Sequence, residues 1–127
     1  MITPLALLMH RDIQEISPKA SLRNAAHCMR DKHIGSLLVG DGETRVGFLS
    51  ETDLVRKGIA EGLNPDTTPV ESVMSSPIIT IDIDETAKEA NDLMAEKGIR
   101  HLAVVDKEKI VGIVSVRDLV ICFKNRL

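Results

Sequence analysis

The chain has 127 residues, of which 43% are hydrophobic and 28% are charged, and its formal net charge is −3. This length and composition are those of one ordinary globular domain and exclude an intrinsically disordered chain. The acidic charge and the presence of only two aromatic residues argue against a nucleic-acid partner, because such binders need a basic surface or exposed rings for base stacking.

The N-terminal segment contains the apolar run PLALLM at residues 4–9. This run is too short for a signal peptide or a membrane span. The two cysteines, Cys28 and Cys122, lack metal-ligand spacing and favour free thiols in a reducing compartment. We therefore expect a cytoplasmic protein without a membrane partner, and we expect no metal site.

The chain is one unit written twice. A shift of 65 positions aligns residues 5–57 with residues 70–122 without a gap, and the identities fall mostly at apolar or turn positions. The sequence therefore predicts a first repeat at 1–61 and a second at 70–127. The stretch between them, GLNPDTTP at 62–69, has the composition of a linker.

Each half predicts the same order of elements, which is strand, helix, strand, strand, helix. The first strand is expected at 12–17 or 77–82, where β-branched residues are enriched. Two apolar runs around a polar turn then predict a hairpin, across Gly40–Thr44 in one half and Asp106–Lys109 in the other. A second helix is expected to begin at Ser50 or Ser115.

The first helix of each half should begin at a capping residue. Ser17, followed by Pro18, is the predicted cap in the first half, and Asp84 is the predicted cap in the second. The apolar positions recur with helical spacing and should face the core. They are Leu22, Ala25, Ala26 and Met29 in the first half, and Ala87, Ala90, Leu93 and Met94 in the second.

A single repeat would leave one apolar face of a small sheet uncovered, which is marginally stable. We therefore expect an α+β (α/β) fold of two β-α-β-β-α repeats packed sheet to sheet with pseudo-two-fold symmetry. The short segments PLALLM and VESVM, which precede the repeats, should pack across the junction between the halves.

The repeated phrases GFLSETDLV (47–55) and GIVSVRDLV (112–120) share a Ser-x-x-Asp motif. A catalytic role would require a base beside the serine, and of the four histidines only His101 is expected near such a turn. The chain also lacks a Gly-x-Ser-x-Gly elbow, a Walker loop and a His/Cys cluster. We therefore do not expect an enzyme.

Two interpretations of Ser-x-x-Asp remain open. The motif is typical of a capping box at a helix start. The same helix start is also an anion site, and a carboxylate one turn later could accept from two neighbouring hydroxyls. Gly47 and Gly112 would then let the backbone approach a ligand. In the second half, Arg100 and His101 add a permanent cation and a titratable donor.

The doubled unit, the GIVSVRDL signature and the KGIRHLAVVD run resemble a pair of cystathionine-β-synthase (CBS) domains, an arrangement called a Bateman module. The resemblance covers nearly the whole chain. It implies two β-α-β-β-α repeats that usually dimerise further into a flat disc. It also implies regulatory binding of AMP, ADP, ATP or S-adenosylmethionine in clefts between the repeats, with no catalytic cofactor.

The resemblance also implies roles for residues of the second repeat. Asp118 would hold the ribose diol, and Ser115 would face the phosphate. Thr80 and Ile81 would border the adenine. Arg100 and His101 match positions that often contact phosphate, and Ile99 and Arg117 adjoin these residues.

The first repeat departs from this pattern. Ile16, Ser50 and Asp53 match Ile81, Ser115 and Asp118. However, Gly35 and Ser36 occupy the positions of Arg100 and His101, and Glu15 replaces Thr80. This site should therefore favour a nucleoside, a less charged ligand or no ligand. A further departure is Ala103, where many family members have proline.

The resulting hypothesis is a regulatory module that senses energy or metabolite levels through an adenosine compound and acts as a homodimer on an unidentified effector protein. The alternative is a structural or dimerisation module without a nucleotide ligand.

Overall fold

The computed structural model describes residues 3–125. These residues form two compact units. Gln14–Ile78 make up the first unit, whereas the second unit combines the residues before Gln14 with those from Ile79 onwards. The second unit therefore includes the N-terminal segment as well as the second repeat.

The first unit contains a three-stranded sheet of order β1-β2-β3, in which β1 is parallel and β3 antiparallel to β2. A short α-helix after β3 continues as a π-helix at Leu54–Ile59. The other elements of this unit are β1 (Glu15–Ile16), α1 (Leu22–Lys32), β2 (Ser36–Gly40), β3 (Arg45–Ser50) and α2 (Glu51–Asp53).

The second unit has the same topology, with strand order β4-β5-β6. Its elements are β4 (Thr80–Asp82), α3 (Ala87–Lys97), β5 (His101–Asp106), β6 (Lys109–Ser115) and α4 (Val116–Asn125). The predicted mixed α/β class, the order strand, helix, strand, strand, helix and both hairpins are confirmed.

The predicted starts of the first helices are wrong by a few residues. Ser21 caps α1 by accepting from the Asn24 amide, because residues 17–20 form a turn in which Ala20 N donates to the Ser17 carbonyl over 3.0 Å. Thr86 caps α3 in a capping box with Glu89, because Asp84 is held in a turn by the Asp82 carboxylate.

Each unit has its own hydrophobic core, and most of the predicted apolar positions face it. Leu22, Ala25 and Met29 are buried in the first unit, but Ala26 is exposed, contrary to prediction. In the second unit, Ala87, Ala90 and Met94 are buried, and Leu93 is half-buried against the same core.

The segments that precede the repeats complete these cores. Leu5 and Met9 are buried in the core of the second unit, and Val70 and Val73 are buried in that of the first. Each segment begins with a turn of 3-10 helix, at Leu5–Leu7 and Val70–Ser72.

Both segments then pair with the last strand of their unit. His10 exchanges two backbone hydrogen bonds with Ile113 (2.8 and 3.0 Å), and Ser75 exchanges two with Phe48 (2.8 and 2.9 Å). These bonds attach residues 3–13 to the second repeat, and they explain why the compact units differ from the repeats as read along the sequence.

Gly47 and Gly112 serve this pairing. A Cβ at Gly112 would lie 2.6 Å from Met9 Sδ, and one at Gly47 would lie 2.5 Å from Met74 Sδ. The prediction that these glycines admit a ligand is therefore wrong. They admit the preceding segment instead.

Cys28 and Cys122 are half-buried thiols that form no disulfide. Among residues 3–125, none of the helices combines the length and apolar character that a membrane crossing requires. The same residues contain no cluster of three or more His, Cys, Asp or Glu side chains arranged to hold a metal ion.

Candidate functional site

The turn between β6 and α4, residues 115–118, is called the Ser115 turn below. The Asp118 amide donates to Ser115 Oγ over 3.2 Å, and the Ser115 amide donates back to Asp118 Oδ2 over 2.8 Å. The Ser115 hydroxyl also donates to Asp118 Oδ2 over 3.0 Å. These reciprocal bonds confirm the capping interpretation of Ser-x-x-Asp. They also hold the Asp118 carboxylate in a fixed orientation.

The sheet brings Arg100 and His101 to this turn. His101 begins β5 directly opposite Ser115 in the antiparallel register. The carbonyl of Arg100 accepts from the Val116 amide over 2.9 Å, which ties the start of β5 to the start of α4. Arg100, His101, Ser115 and Asp118 are therefore brought together, as the sequence predicted.

His101 lies within electrostatic range of both the Asp118 carboxylate and the Arg100 cation. Burial lowers the pKa of His101, the Asp118 carboxylate raises it, and the Arg100 cation lowers it again, with a net decrease. His101 is therefore a neutral imidazole at pH 7. Among residues 3–125, the exposed guanidinium of Arg100 takes part in none of the ion pairs.

Sequence reasoning missed a fifth residue of this site. His10 Nε2 lies 2.8 Å from Asp118 Oδ1, although the sequence placed only His101 near a Ser-x-x-Asp turn. The backbone bridge between His10 and Ile113 explains this position. The shift of 65 aligns His10 with Ser75, and Ser75 makes the equivalent contact with Asp53 in the first unit. This alignment is the sequence signal that could have identified His10.

The remaining residues predicted for this site lie on its borders. Thr80 is exposed on β4, an edge strand of the sheet, whereas the Ile81 side chain is buried in the core. Ile99 is half-buried after α3, and its amide donates to the Met94 carbonyl over 3.0 Å. Arg117 is exposed in the first turn of α4.

The equivalent turn of the first unit, residues 50–53, is called the Ser50 turn. Ser50 and Asp53 form the same capping box. Here, however, Asp53 also pairs with Lys57 Nζ over 3.1 Å. The Ser75 hydroxyl lies 3.2 Å from Oδ1 and 3.3 Å from Oδ2 of the same carboxylate. Asp53 is thus buried among partners from its own unit.

The other predicted residues of the first unit have the same backbone geometry as those of the Ser115 turn, but Gly35 and Ser36 replace Arg100 and His101. Ser36 lies opposite Ser50, and the Gly35 carbonyl accepts from the Glu51 amide over 3.0 Å. Ile16 is half-buried in β1.

Glu15, which replaces Thr80, is paired with Arg45 Nε over 3.3 Å. The acid that this replacement introduces is therefore already paired within the unit.

The Ser115 turn offers a set of groups suited to binding. It combines an acceptor-only carboxylate, a guanidinium with no ion-pair partner in the described part of the chain, and an imidazole whose neutral form is favoured at pH 7. Such a set complements a ligand that has hydroxyl donors at one end and negative charge at the other.

Comparison with known proteins is consistent with the duplicated architecture. The family model for the CBS domain matches the chain twice, over residues 6–59 and 70–125. An uncharacterized protein of Methanopyrus kandleri is 39% identical over 111 residues, which cover 86% of this chain and 57% of that relative. The match thus spans little more than half of that relative's length.

Solved structures are similar over most of the chain. An uncharacterized conserved protein from Pyrococcus horikoshii has a TM-score of 0.91 and 33% identity, covering 100% of this chain and 96% of that one. A hexameric CBS-CP12 protein from bloom-forming cyanobacteria has a TM-score of 0.85 and 26% identity, covering 94% and 67%. Some structural neighbours are therefore oligomers.

Proposed function

We propose that this chain, which belongs to the CBS-domain family, is a regulatory module that binds an adenosine-containing ligand at the Ser115 turn. Paired domains of this family are typically regulatory. AMP, ADP, ATP and S-adenosylmethionine are the ligands considered. The proposed module carries out no catalysis. It signals its ligand state to an effector protein, as a sensor of energy or metabolite levels.

The observation that carries this proposal is the difference between the two carboxylates. Both cap a helix, but Asp53 is committed to Lys57 and Ser75, whereas Asp118 contacts an exposed histidine. A carboxylate that has one solvent-exposed partner outside its cap can exchange this partner for a ligand more easily than a carboxylate that has two such partners. This difference favours the second repeat.

Each end of the ligand has a proposed partner. Asp118 accepts from the ribose hydroxyls, and Arg100, His101 and the Ser115 hydroxyl contact the phosphate or the other polar group of the ligand. Thr80 and the backbone at Ile81 border the adenine, and Ile99 and Arg117 lie at the edges of the site.

The equivalent residues of the first repeat, Ile16, Gly35, Ser36, Ser50 and Asp53, form a weaker or unused site. They supply no cation to an incoming phosphate, and Lys57 is paired with Asp53.

Isothermal titration calorimetry of the purified chain with AMP, ATP, S-adenosylmethionine and adenosine tests the proposal. Asp118→Ala should weaken every ribose ligand by about 1–3 kcal/mol, or about 5- to 150-fold in Kd, because it removes a charged acceptor. Arg100→Ala should weaken AMP and ATP but leave adenosine unchanged, since adenosine has no phosphate.

Ser50→Ala is the matched control, because it alters the same motif in the first repeat. It should leave all these affinities unchanged. Absence of heat and of a thermal shift with every compound would refute ligand binding, and equal affinities for wild type and Asp118→Ala would remove Asp118 from the site.

A second candidate function is a self-association module with no nucleotide ligand. The exposed apolar side chains of Val120 and Ile121 on α4, and of Val55 and Ile59 in the first unit, favour it. A homodimer is compatible with both functions. Sedimentation velocity with and without AMP and ATP separates them, because self-association with no response to any adenosine compound is expected only of the second.

A further inference from the structure

The contact between His10 and Asp118 bears on how a ligand would enter the proposed site. An ionised carboxylate has two oxygens with about four lone-pair positions in total. Asp118 Oδ2 accepts from the amide and the hydroxyl of Ser115, and Oδ1 is bonded to His10 Nε2. Because a carboxylate only accepts, the Nε2 atom must carry the proton of this bond. Three of the four positions are thus occupied.

A ribose diol brings two hydroxyl donors, but only one position remains. Among the three donors already present, the Ser115 amide is fixed by the cap, and the Ser115 hydroxyl lies on the same backbone turn. The His10 side chain is 68% exposed and holds Asp118 through one bond. It is therefore the donor that can leave with the smallest structural change.

We propose that His10 competes with the ribose diol for Asp118, so that a bound nucleotide displaces the His10 side chain from α4. This inference rests on the proposed adenosine site and adds to it a specific competitor from the N-terminal segment. Displacement is local, because Met9 stays buried and the backbone of His10 stays bridged to Ile113.

The first unit contains a contact equivalent to that between His10 and Asp118. Ser75, at the position equivalent to His10, also donates to the aspartate of the turn. There the Ser75 hydroxyl additionally accepts from Lys57 Nζ over 3.3 Å, so carboxylate, hydroxyl and ammonium form a closed set. In each unit a residue from the preceding segment thus contacts the aspartate of the turn, but among residues 3–125 no lysine pairs with Asp118 as Lys57 does with Asp53.

The test compares ligands with two and with one ribose hydroxyl. AMP, ATP and S-adenosylmethionine present the full diol, whereas 2′-deoxy-AMP and 2′-deoxy-ATP present a single hydroxyl, for which one position is already available. Calorimetric Kd values are measured for wild type, His10→Ala and His10→Gln, with His27→Ala, an exposed histidine of α1, as the control.

His10→Ala should tighten the diol ligands by about 1.4-fold to fivefold, the range expected when an exposed polar pair no longer has to be broken, and should leave the deoxy ligands unchanged. His10→Gln retains a side-chain donor and should bind the diol ligands as wild type does. His27→Ala should change nothing.

If His10→Ala binds the diol ligands with unchanged or weaker affinity, competition is refuted while the adenosine site stands. If no adenosine compound binds either wild type or His10→Ala, the proposed function itself is refuted. Binding that appears only in His10→Ala would support both.

Discussion

The two Ser-x-x-Asp turns should differ in how much they stabilise the fold, and replacing each aspartate with alanine measures this difference. Asp53→Ala removes the acceptor of the Ser50 amide, of the Ser75 hydroxyl and of Lys57. Loss of a cap costs about 1 kcal/mol, and each hydrogen bond to a charged group contributes about 1.5–3 kcal/mol before solvation of the carboxylate is subtracted. We expect a net loss of about 2–3 kcal/mol in the free energy of unfolding.

Asp118→Ala removes the same cap, including the acceptor of the Ser115 hydroxyl, and one partner from outside the turn, the exposed His10. An exposed polar contact of this kind contributes at most about 1 kcal/mol, so the expected loss is about 1–2 kcal/mol. Thermal unfolding followed by circular dichroism resolves the difference, because about 1 kcal/mol corresponds to about 4 °C in a domain of this size.

The control is Asp92→Ala, which breaks an exposed pair with Lys88 at the same i,i+4 spacing as Asp53 and Lys57. It should cost less than about 0.5 kcal/mol. If Asp118→Ala destabilises the protein as much as Asp53→Ala, the second carboxylate is equally committed to the fold, and the argument that it is reserved for a ligand fails.

Two further predictions concern the surroundings of the Ser115 turn. Gly112→Ala places a methyl group 2.6 Å from Met9 Sδ and 3.1 Å from the His10 carbonyl oxygen. It should lower the free energy of unfolding by about 1–3 kcal/mol and increase amide hydrogen exchange in residues 5–10. The control Gly58→Ala, whose Cβ meets only Leu22 at 3.2 Å, should do neither. Because burial lowers the pKa of His101 in the folded protein, the unfolded chain binds more protons just below pH 6.5, and the free energy of unfolding should fall as the pH drops from there towards the folded pKa. Wild type should therefore lose more thermal stability between pH 7 and pH 5 than His101→Gln, and parallel curves would contradict this reasoning.

The repeated architecture could be predicted because it is written in local patterns. Apolar runs on both sides of short polar turns identified the hairpins, and the shift of 65 positions identified the second copy of every element. The Ser-x-x-Asp caps were equally local, since the bonding groups lie three residues apart.

The starts of the first helices were predicted less well because several residues compete as caps. Thr86 and Glu89 carry the capping-box pattern, which distinguishes Thr86 from Asp84. Ser21 has no such partner residue in the sequence, and its advantage over Ser17 comes from residues 64–71, whose backbone accepts from or donates to residues 18–23. A tertiary contact therefore decides where α1 begins.

His10 was not predicted because its contact with Asp118 is also tertiary and joins residues that are even further apart in the sequence. It lies 108 positions from Asp118 in the sequence, and nothing in its own neighbourhood indicates a partner. The information is present only in the comparison of the repeats, where His10 aligns with Ser75 and Met9 with Met74. The structure shows that each of these segments pairs with the strand that leads into the aspartate turn.

The two repeats differ in where a positively charged side chain lies relative to the aspartate of the turn. The shift of 65 aligns Lys57 with Cys122 and Gly35 with Arg100. In the first repeat the cation lies on the helix and neutralises Asp53 directly. In the second, Arg100 directly precedes β5 and enters none of the ion pairs among residues 3–125, and the Asp118 carboxylate contacts His10 instead. The first repeat thus pairs its cation with its aspartate, whereas the second leaves Arg100 outside such pairs. The proposed ligand, with a diol and a phosphate, needs an acceptor and a cation as two separate groups.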